Sequence, residues 1–392
     1  MKMRYSKDHM AFIFGMFETG LGVARSLGRK GIEVYGYDFK KDIGSYSKYV
    51  TFSLCPNPIK EEGKFIDYII EVSKSFHHKP VVFITSDDYL DAFSKHRLQL
   101  SNYLLFNLPD KTSINLALEK EQLYKKLIIS GIDCPKTFDN QSDCTYPLII
   151  KANNVNHWRT TISSNDKVIY IRNYEELSIN IEKLNKLNIS YVCQEIIPGN
   201  DDKFFKYNTY RTKEGEIMAE FMLQKLRQNP VRFGVGSLVK SVKNEEIRKY
   251  GRRVFDSINY KGIGSAEFKF DERDNKYKLI EINTRYWQQN ILPTMCGINF
   301  PFIEYLYLTQ FNYSKPVYNY TEGVKWINLY MDFSSFLKYR KEGSMTLMDW
   351  LEELKGHIVF SDFASDDIIP GLYETILSDK IKRIPSYFAN NI

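Results

Sequence analysis

Apolar and polar positions change period several times along the first hundred residues. AFIF at 11–14 is a short continuous apolar run; GMFETGLG supplies a glycine turn, VARSLGRKG has helical spacing, and IEVYGYD is strand-like and ends at Asp38. That order predicts a strand–helix–strand unit. The alternation continues through the helical FIDYIIEVSKSF, the strand PVVFITSDD and the helical YLDAFSKHRLQL, so residues 1–112 read as an open parallel sheet with helices, an α/β domain.

From Asn115 the period becomes that of a charged helix, LALEKEQLYKKLIIS, closed by Gly131 and then Pro135. Short strands (YPLIIKA, KVIYIR), a helix (NYEELSINIEKLNKL) and the strand SYVCQEIIPG follow, a compact α+β unit over 113–197. Residues 198–310 are strand-rich, with TYRT and EIMAEFML flanking a turn at Glu214 and Gly215, the helix EEIRKYGRRVFDSI, and the adjacent strands IGSAEFKFD and KYKLIEINTR. The remainder, 311–392, carries aromatic-rich helical stretches, SSFLKYRKE and MDWLEEL, expected to cover the main sheet.

Composition narrows the class. At 392 residues the chain predicts two or three domains, and 43% hydrophobic with 26% charged residues is the balance of a globular enzyme. A net charge of +6 from 54 basic and 48 acidic residues is compatible with anionic substrates and carries no nucleic-acid signature. Cys55, Cys134, Cys144, Cys193 and Cys296 are odd in number and lack CxxC spacing, which argues against a disulfide framework or zinc site and for a reducing, cytoplasmic setting. No stretch has the apolar length of a membrane span, and the first residues lack a signal-peptide pattern.

The chemistry concentrates in the last strand pair. Alternation places Glu281, Asn283 and Arg285 of IEINTR on one face, with Glu267 of AEFKFD on the neighbouring strand. Hard oxygen donors at this spacing suit Mg²⁺, which takes one or two carboxylates and leaves its other positions to water and phosphate oxygens. For a lone glutamate, a solvated position on a half-exposed strand would be the simpler explanation. A carboxylate, an amide and a guanidinium sharing one face favour metal and phosphate binding.

These residues resemble the ATP-grasp superfamily, whose second metal-binding strand has the form E-x-N-x-R and whose partner strand carries another metal-binding glutamate. The resemblance extends over about three quarters of the chain, through Glu119–Lys120, Lys151, QEIIPG at 194–199 and the metal strands, in that order. It implies an ATP-grasp fold with an N-terminal pre-ATP-grasp domain. It also implies ATP and two Mg²⁺ (Mn²⁺ a possible substitute), with Glu267, Glu281 and Asn283 as metal ligands. Lys120 and Lys151 match the two lysines that meet the phosphates, whose charge requires cations. Glu195 with the backbone of Ile196 and Ile197 matches the hinge that reads adenine, leaving Asp201 or Asp202, with Asp202 preferred, to face the ribose.

KLRQNPVRFGVGS at 225–237 gathers Lys225, Arg227 and Arg232, cations able to hold a carboxylate and stabilise an acyl phosphate. Its R-Q-x-P-x-x-F-G run looks most like the D-aspartate-ligase-type branch of carboxylate–amine ligases, as does Trp158 after the second lysine. Lys225, Arg227 and Arg285 are accordingly the catalytic candidates. One departure is that ANNVNHWRTTISSNDK at 152–167 contains no glycine where many members have a glycine-rich phosphate loop, leaving His157, Trp158 and Arg159 to cover the triphosphate. Trp158 is equally readable as a packing residue.

The implied activity joins a carboxylate, that of an amino acid, to an amine through an acyl phosphate, with small-molecule substrates, no nucleic-acid or membrane partner and a homo-oligomer allowed. Two rivals remain open at this level: a nucleotide-binding protein that has lost catalysis, and an NAD-linked oxidoreductase built on Gly15, Gly20, Gly22 and Asp38, whose spacing is not GxGxxG. Thr85, Ser86, Asp87 and Asp88 follow a strand's carboxyl end and are candidates to line a cleft.

Overall fold

The computed structural model describes residues 7–153, 158, 168–310 and 317–377. Its first unit is a parallel sheet in the order β3-β2-β1-β4, from β1 (Ala11–Phe14), β2 (Val34–Asp38), β3 (Val50–Leu54) and β4 (Val81–Ile84). The helices of this unit are α1 (Glu18–Gly28), α2 (Glu62–Lys74), α3 (Asp87–Lys95) and the short α4 (Arg97–Leu100). The continuous apolar runs follow from burial of both sheet faces. Ala11, Ile13, Val81 and Phe83 enter the main core, while Phe12, Phe14, Val82 and Ile84 face a second core with Phe65 and Phe93.

The single helix expected from Asn115 is two helices, α5 (Lys111–Leu118) and α6 (Lys120–Ile129), broken at Glu119, where φ is −93° and ψ 88°. Tertiary contacts explain the break. Ser113 on α5 donates to the Ile258 carbonyl at 3.1 Å, whereas Lys120 at the first turn of α6 donates to the Ala152 carbonyl at 3.2 Å.

A small antiparallel sheet, β5-β8-β6-β7, comprises β5 (Thr137–Phe138), β6 (Leu148–Ala152), β7 (Val168–Ile171) and β8 (Tyr191–Glu195). Its own core includes Leu148, Ile150, Trp158, Ile171, Leu177 and Leu184, the last two from the helix Tyr174–Lys186. Leu123 and Leu127 of α6 belong instead to the main core.

The large sheet has seven strands in the order β13-β12-β9-β10-β11-β14-β15. They are β9 (Phe204–Arg211), β10 (Ile217–Asn229), β11 (Val235–Ser241), β12 (Gly262–Asp271), β13 (Lys276–Asn283), β14 (Lys325–Ile327) and β15 (Ile358–Phe360). The C-terminal region therefore does more than cover the sheet. It extends it by two strands, and its helices Leu329–Lys341 and Leu347–Glu353 pack through Phe336 and Trp350, whose stacked ring centroids lie 5.2 Å apart. Its last described part returns to the N-terminal unit, where buried Arg25 donates to Asp367 Oδ2 at 2.9 Å and to the Asp362 and Asp367 carbonyls.

Candidate functional site

β12 and β13 pair antiparallel with Glu267 directly opposite Glu281, and Asn283 lies two residues on along the same face. Asn283 Nδ2 donates to Glu281 Oε1 at 3.1 Å, confirming that the side chains meet. Behind them, Lys225 Nζ approaches Glu267 Oε1 at 2.7 Å and Lys206 Nζ approaches Oε2 at 3.2 Å. Burial lowers the Lys225 pKa, opposed by the Glu267 charge. The two ammoniums offset the repulsion between the facing carboxylates.

This acidic pair forms part of the wall of a cavity of about 1270 Å³ between the small and large sheets. Pockets for drug-sized ligands run to roughly 1,000 Å³, so the volume holds a nucleotide together with a second, smaller molecule. The small unit contributes Lys120, Lys151, Glu195, Ile196 and Ile197; the large unit contributes Glu267, Glu281, Asn283 and Arg285; the N-terminal unit contributes Asp87 and Asp91. Among the described residues the lining contains no histidine or cysteine, and its charged groups are carboxylates, ammoniums and the guanidiniums of Arg172, Arg232 and Arg285.

Lys151 on β6 is buried, and its Nζ donates to Gln194 Oε1 at 2.8 Å. Glu195, at the end of β8, accepts from the Lys136 N–H and from Arg273 Nη2, both at 2.8 Å, so its carboxylate ties the small sheet to the β12–β13 turn. Arg285 forks onto Asp87, Nε to Oδ1 at 2.8 Å and Nη2 to Oδ2 at 3.1 Å. Burial opposes the Arg285 charge, and Asp87 raises its pKa above the ordinary value.

Three candidates lie elsewhere. Arg227 does not line the cavity: its guanidinium meets Asp332 through Nε at 2.9 Å and Nη2 at 2.8 Å, and also pairs with Glu353. The cause is a register shift in β10 on either side of Arg227, which turns Lys225 to Glu267 and Arg227 to the C-terminal helices. Lys225 stands one layer behind, on Glu267. Asp202 is exposed and off the wall, because the turn Asp201–Lys203 directs Asp201 inward to Gln228 and Tyr339 and leaves Asp202 in solvent. Arg232 does line the cavity, while His157 and Arg159 lie outside the described residues. Trp158 is both a small-core residue and part of the wall.

The glycines of the first unit serve packing. A Cβ on Gly20 would stand 2.2 Å from the Gly15 carbonyl oxygen, and buried Asp38 accepts from the Met16 and Phe39 N–H groups and from Tyr89. That carboxylate is thus committed within its own unit.

Sequence reasoning passed over Lys269 and Gln194, both on the wall. The signal for Lys269 was available, since it is two residues from Glu267 and strand alternation puts it on the same face. Burial pushes its pKa down to about 8. The donor set of Glu267, Glu281 and Asn283 fits a hard divalent cation that keeps water and phosphate oxygens as its remaining ligands.

Comparison with known proteins agrees with this geometry. Residues 218–299 match the family model of the carbamoyl-phosphate synthase L chain ATP-binding domain. D-aspartate ligase of Enterococcus faecium (strain Aus0004) is 22% identical over 275 residues, 65% of this chain and 65% of that protein, so the match spans just under two thirds of the relative's length. The L-amino acid ligase of Bacillus licheniformis superposes with a TM-score of 0.59 at 16% identity, over 78% of this chain and 75% of that one. So does the biotin carboxylase domain dimer of Hydrogenobacter thermophilus 2-oxoglutarate carboxylase, in complex with MgADP, ADP and bicarbonate, with a TM-score of 0.59 at 15% identity over 79% and 71%. The fold is the ATP-grasp fold, and the matched segment 218–299 contains IEINTR. Among the described residues no helix is long and apolar enough to cross a membrane.

Proposed function

We propose that this ATP-grasp protein is an ADP-forming ligase that joins the carboxylate of an amino acid to an amine. The observation that carries the reading is one cavity lined by the paired Glu267 and Glu281 of the large sheet, by Lys120 and Lys151 of the small unit and by Arg285 just past the acidic strand. Glu267, Glu281 and Asn283 would hold Mg²⁺, which would supply Lewis-acid neutralisation of phosphate charge.

The chain's own groups do the rest by charge and alignment. Lys120 and Lys151 neutralise the phosphates, and the segment Ile196–Ile197 offers main-chain groups to the base. A substrate carboxylate oxygen attacks the γ-phosphorus and ADP departs; Arg285 orients the transferring group. The amine nitrogen then attacks the acyl carbon, loses a proton, and phosphate leaves, giving the amide. The similarity to D-aspartate ligase favours an amino acid as the carboxylate substrate, and a cell-envelope or peptide precursor is the product class that this reading carries.

The test is ADP formation with MgATP against a panel of amino acids, with and without amine acceptors, for the parent and Glu281→Gln. ADP that depends on one acid and one amine, and that is lost in the variant, supports the ligase. ATP binding without turnover across the panel would favour a binding-only protein, and no ATP binding would overturn the reading.

A further inference from the structure

β8 ends at Glu195, and the chain then runs through Ile196, Ile197, Pro198 and Gly199, all on the cavity wall, before entering the large unit. Lys269 rises to this segment from β12. Its Nζ donates to the Ile197 carbonyl at 2.8 Å and to the Gly199 carbonyl at 2.8 Å, and it lies over the Phe204 ring, 4.7 Å from the centroid. The side chain is 7% exposed and itself lines the cavity.

Placing an ammonium here is costly. A buried cation needs hydrogen bonds to offset desolvation, and an apolar residue would fill the same strand position without that cost. What the ammonium achieves is geometric: it turns two carbonyls of the connecting segment down onto the large sheet. Gly199 has φ +97°, a conformation L side chains rarely adopt, and so its carbonyl can be turned this way. With those two carbonyls held below, the segment has one fixed height above the acidic pair, because Lys269 and Glu267 stand on the same strand two residues apart.

We infer that Lys269 is a positioning residue for nucleotide binding: it locks Ile196–Gly199 to the metal strand so that the base and the phosphates of one ATP are met at a fixed separation. The inference rests on the ATP reading given above. It also assigns Lys269 no contact with the phosphates, which fall to Lys120, Lys151 and the metal.

Calorimetric titration of the full chain with MgATP and, separately, with magnesium tripolyphosphate tests this. In Lys269→Met the affinity for MgATP is expected to fall about tenfold or more, with tripolyphosphate affinity within about twofold of the parent, since only a ligand with a base uses the segment. Lys269→Gln, which retains one donor arm and keeps a polar group should the methionine variant fail to fold, is expected to fall between parent and Lys269→Met for MgATP alone. Unchanged MgATP affinity, or an equal loss for both ligands, overturns the role of Lys269. A parent that does not bind MgATP overturns the ATP reading itself.

Discussion

Arg285 and Asp87, 198 positions apart, form a two-pronged ion pair that joins the end of the acidic strand to the first turn of α3 in the N-terminal unit. Both side chains line the cavity. An arginine that already presents its fork to one carboxylate has the geometry to receive a second on its remaining N–H groups, and a lysine has no such fork. Arg285→Lys is therefore expected to keep MgATP affinity within about twofold while acid-dependent ADP formation falls by about 10²-fold, the scale of losing one aligned donor at a developing charge. Titration and steady-state ADP release on the same preparation separate the two, and unchanged turnover would remove Arg285 from the reacting group.

The opposed carboxylates Glu267 and Glu281 lead to a metal prediction. Chelating divalent cations with EDTA is expected to weaken nucleotide binding at least tenfold in the parent, because phosphate charge would then face two carboxylates with no cation between them. In Glu281→Gln the same treatment should change affinity much less, since one of the repelling and ligating groups is already gone. Equal sensitivity in both proteins would place the metal elsewhere.

The local patterns in the chain carried the strands of the acidic pair and the parallel first sheet well, because alternation and apolar runs report burial directly; Lys120 and Lys151 were singled out by the resemblance alone. Three things were hidden. The break at Glu119 comes from Ser113 and Lys120 docking on different units, which no local period records. The two C-terminal strands, β14 and β15, are three residues each, too short for alternation to show, and gain their place by pairing, β14 to β11 and β15 to β14. Arg227 looked like a companion of Lys225 because both sit in one basic run; the register shift in β10 sends them to opposite sides.

That placement of Arg227 makes it a stability residue. It is 1% exposed, and Asp332, also buried, accepts from it, from Ser237 and from Trp350 Nε1. Removing one partner of a buried pair strands the other charge, at a cost of about 3–5 kcal/mol. Arg227→Met is expected to lower unfolding free energy by about that amount, measured by urea titration, whereas the double variant Arg227→Met/Asp332→Leu should recover much of it. Loss of turnover at full stability in Arg227→Met would instead return this residue to the reaction.

Glu304 supplies a pH-dependent term to stability. It is buried on the helix Phe300–Leu308, accepts from the Tyr286 hydroxyl at 2.6 Å, and neighbours the buried rings of Tyr210 and Tyr260. Burial pushes its carboxyl up to about 8 from the ordinary 4.5. In the folded state the group thus keeps its proton over an interval in which the unfolded chain releases it, so its contribution is complete below the unfolded value and is lost as pH rises towards the folded one. At about 1.4 kcal/mol per unit, the loss across the interval reaches several kcal/mol, ~5 at most. Glu304→Gln keeps an acceptor for Tyr286 and has no proton to lose, so its unfolding free energy should fall much less between pH 5 and pH 8 than the parent's. Parallel pH profiles for the two proteins would show that Glu304 ionises in the folded state as it does in the unfolded chain.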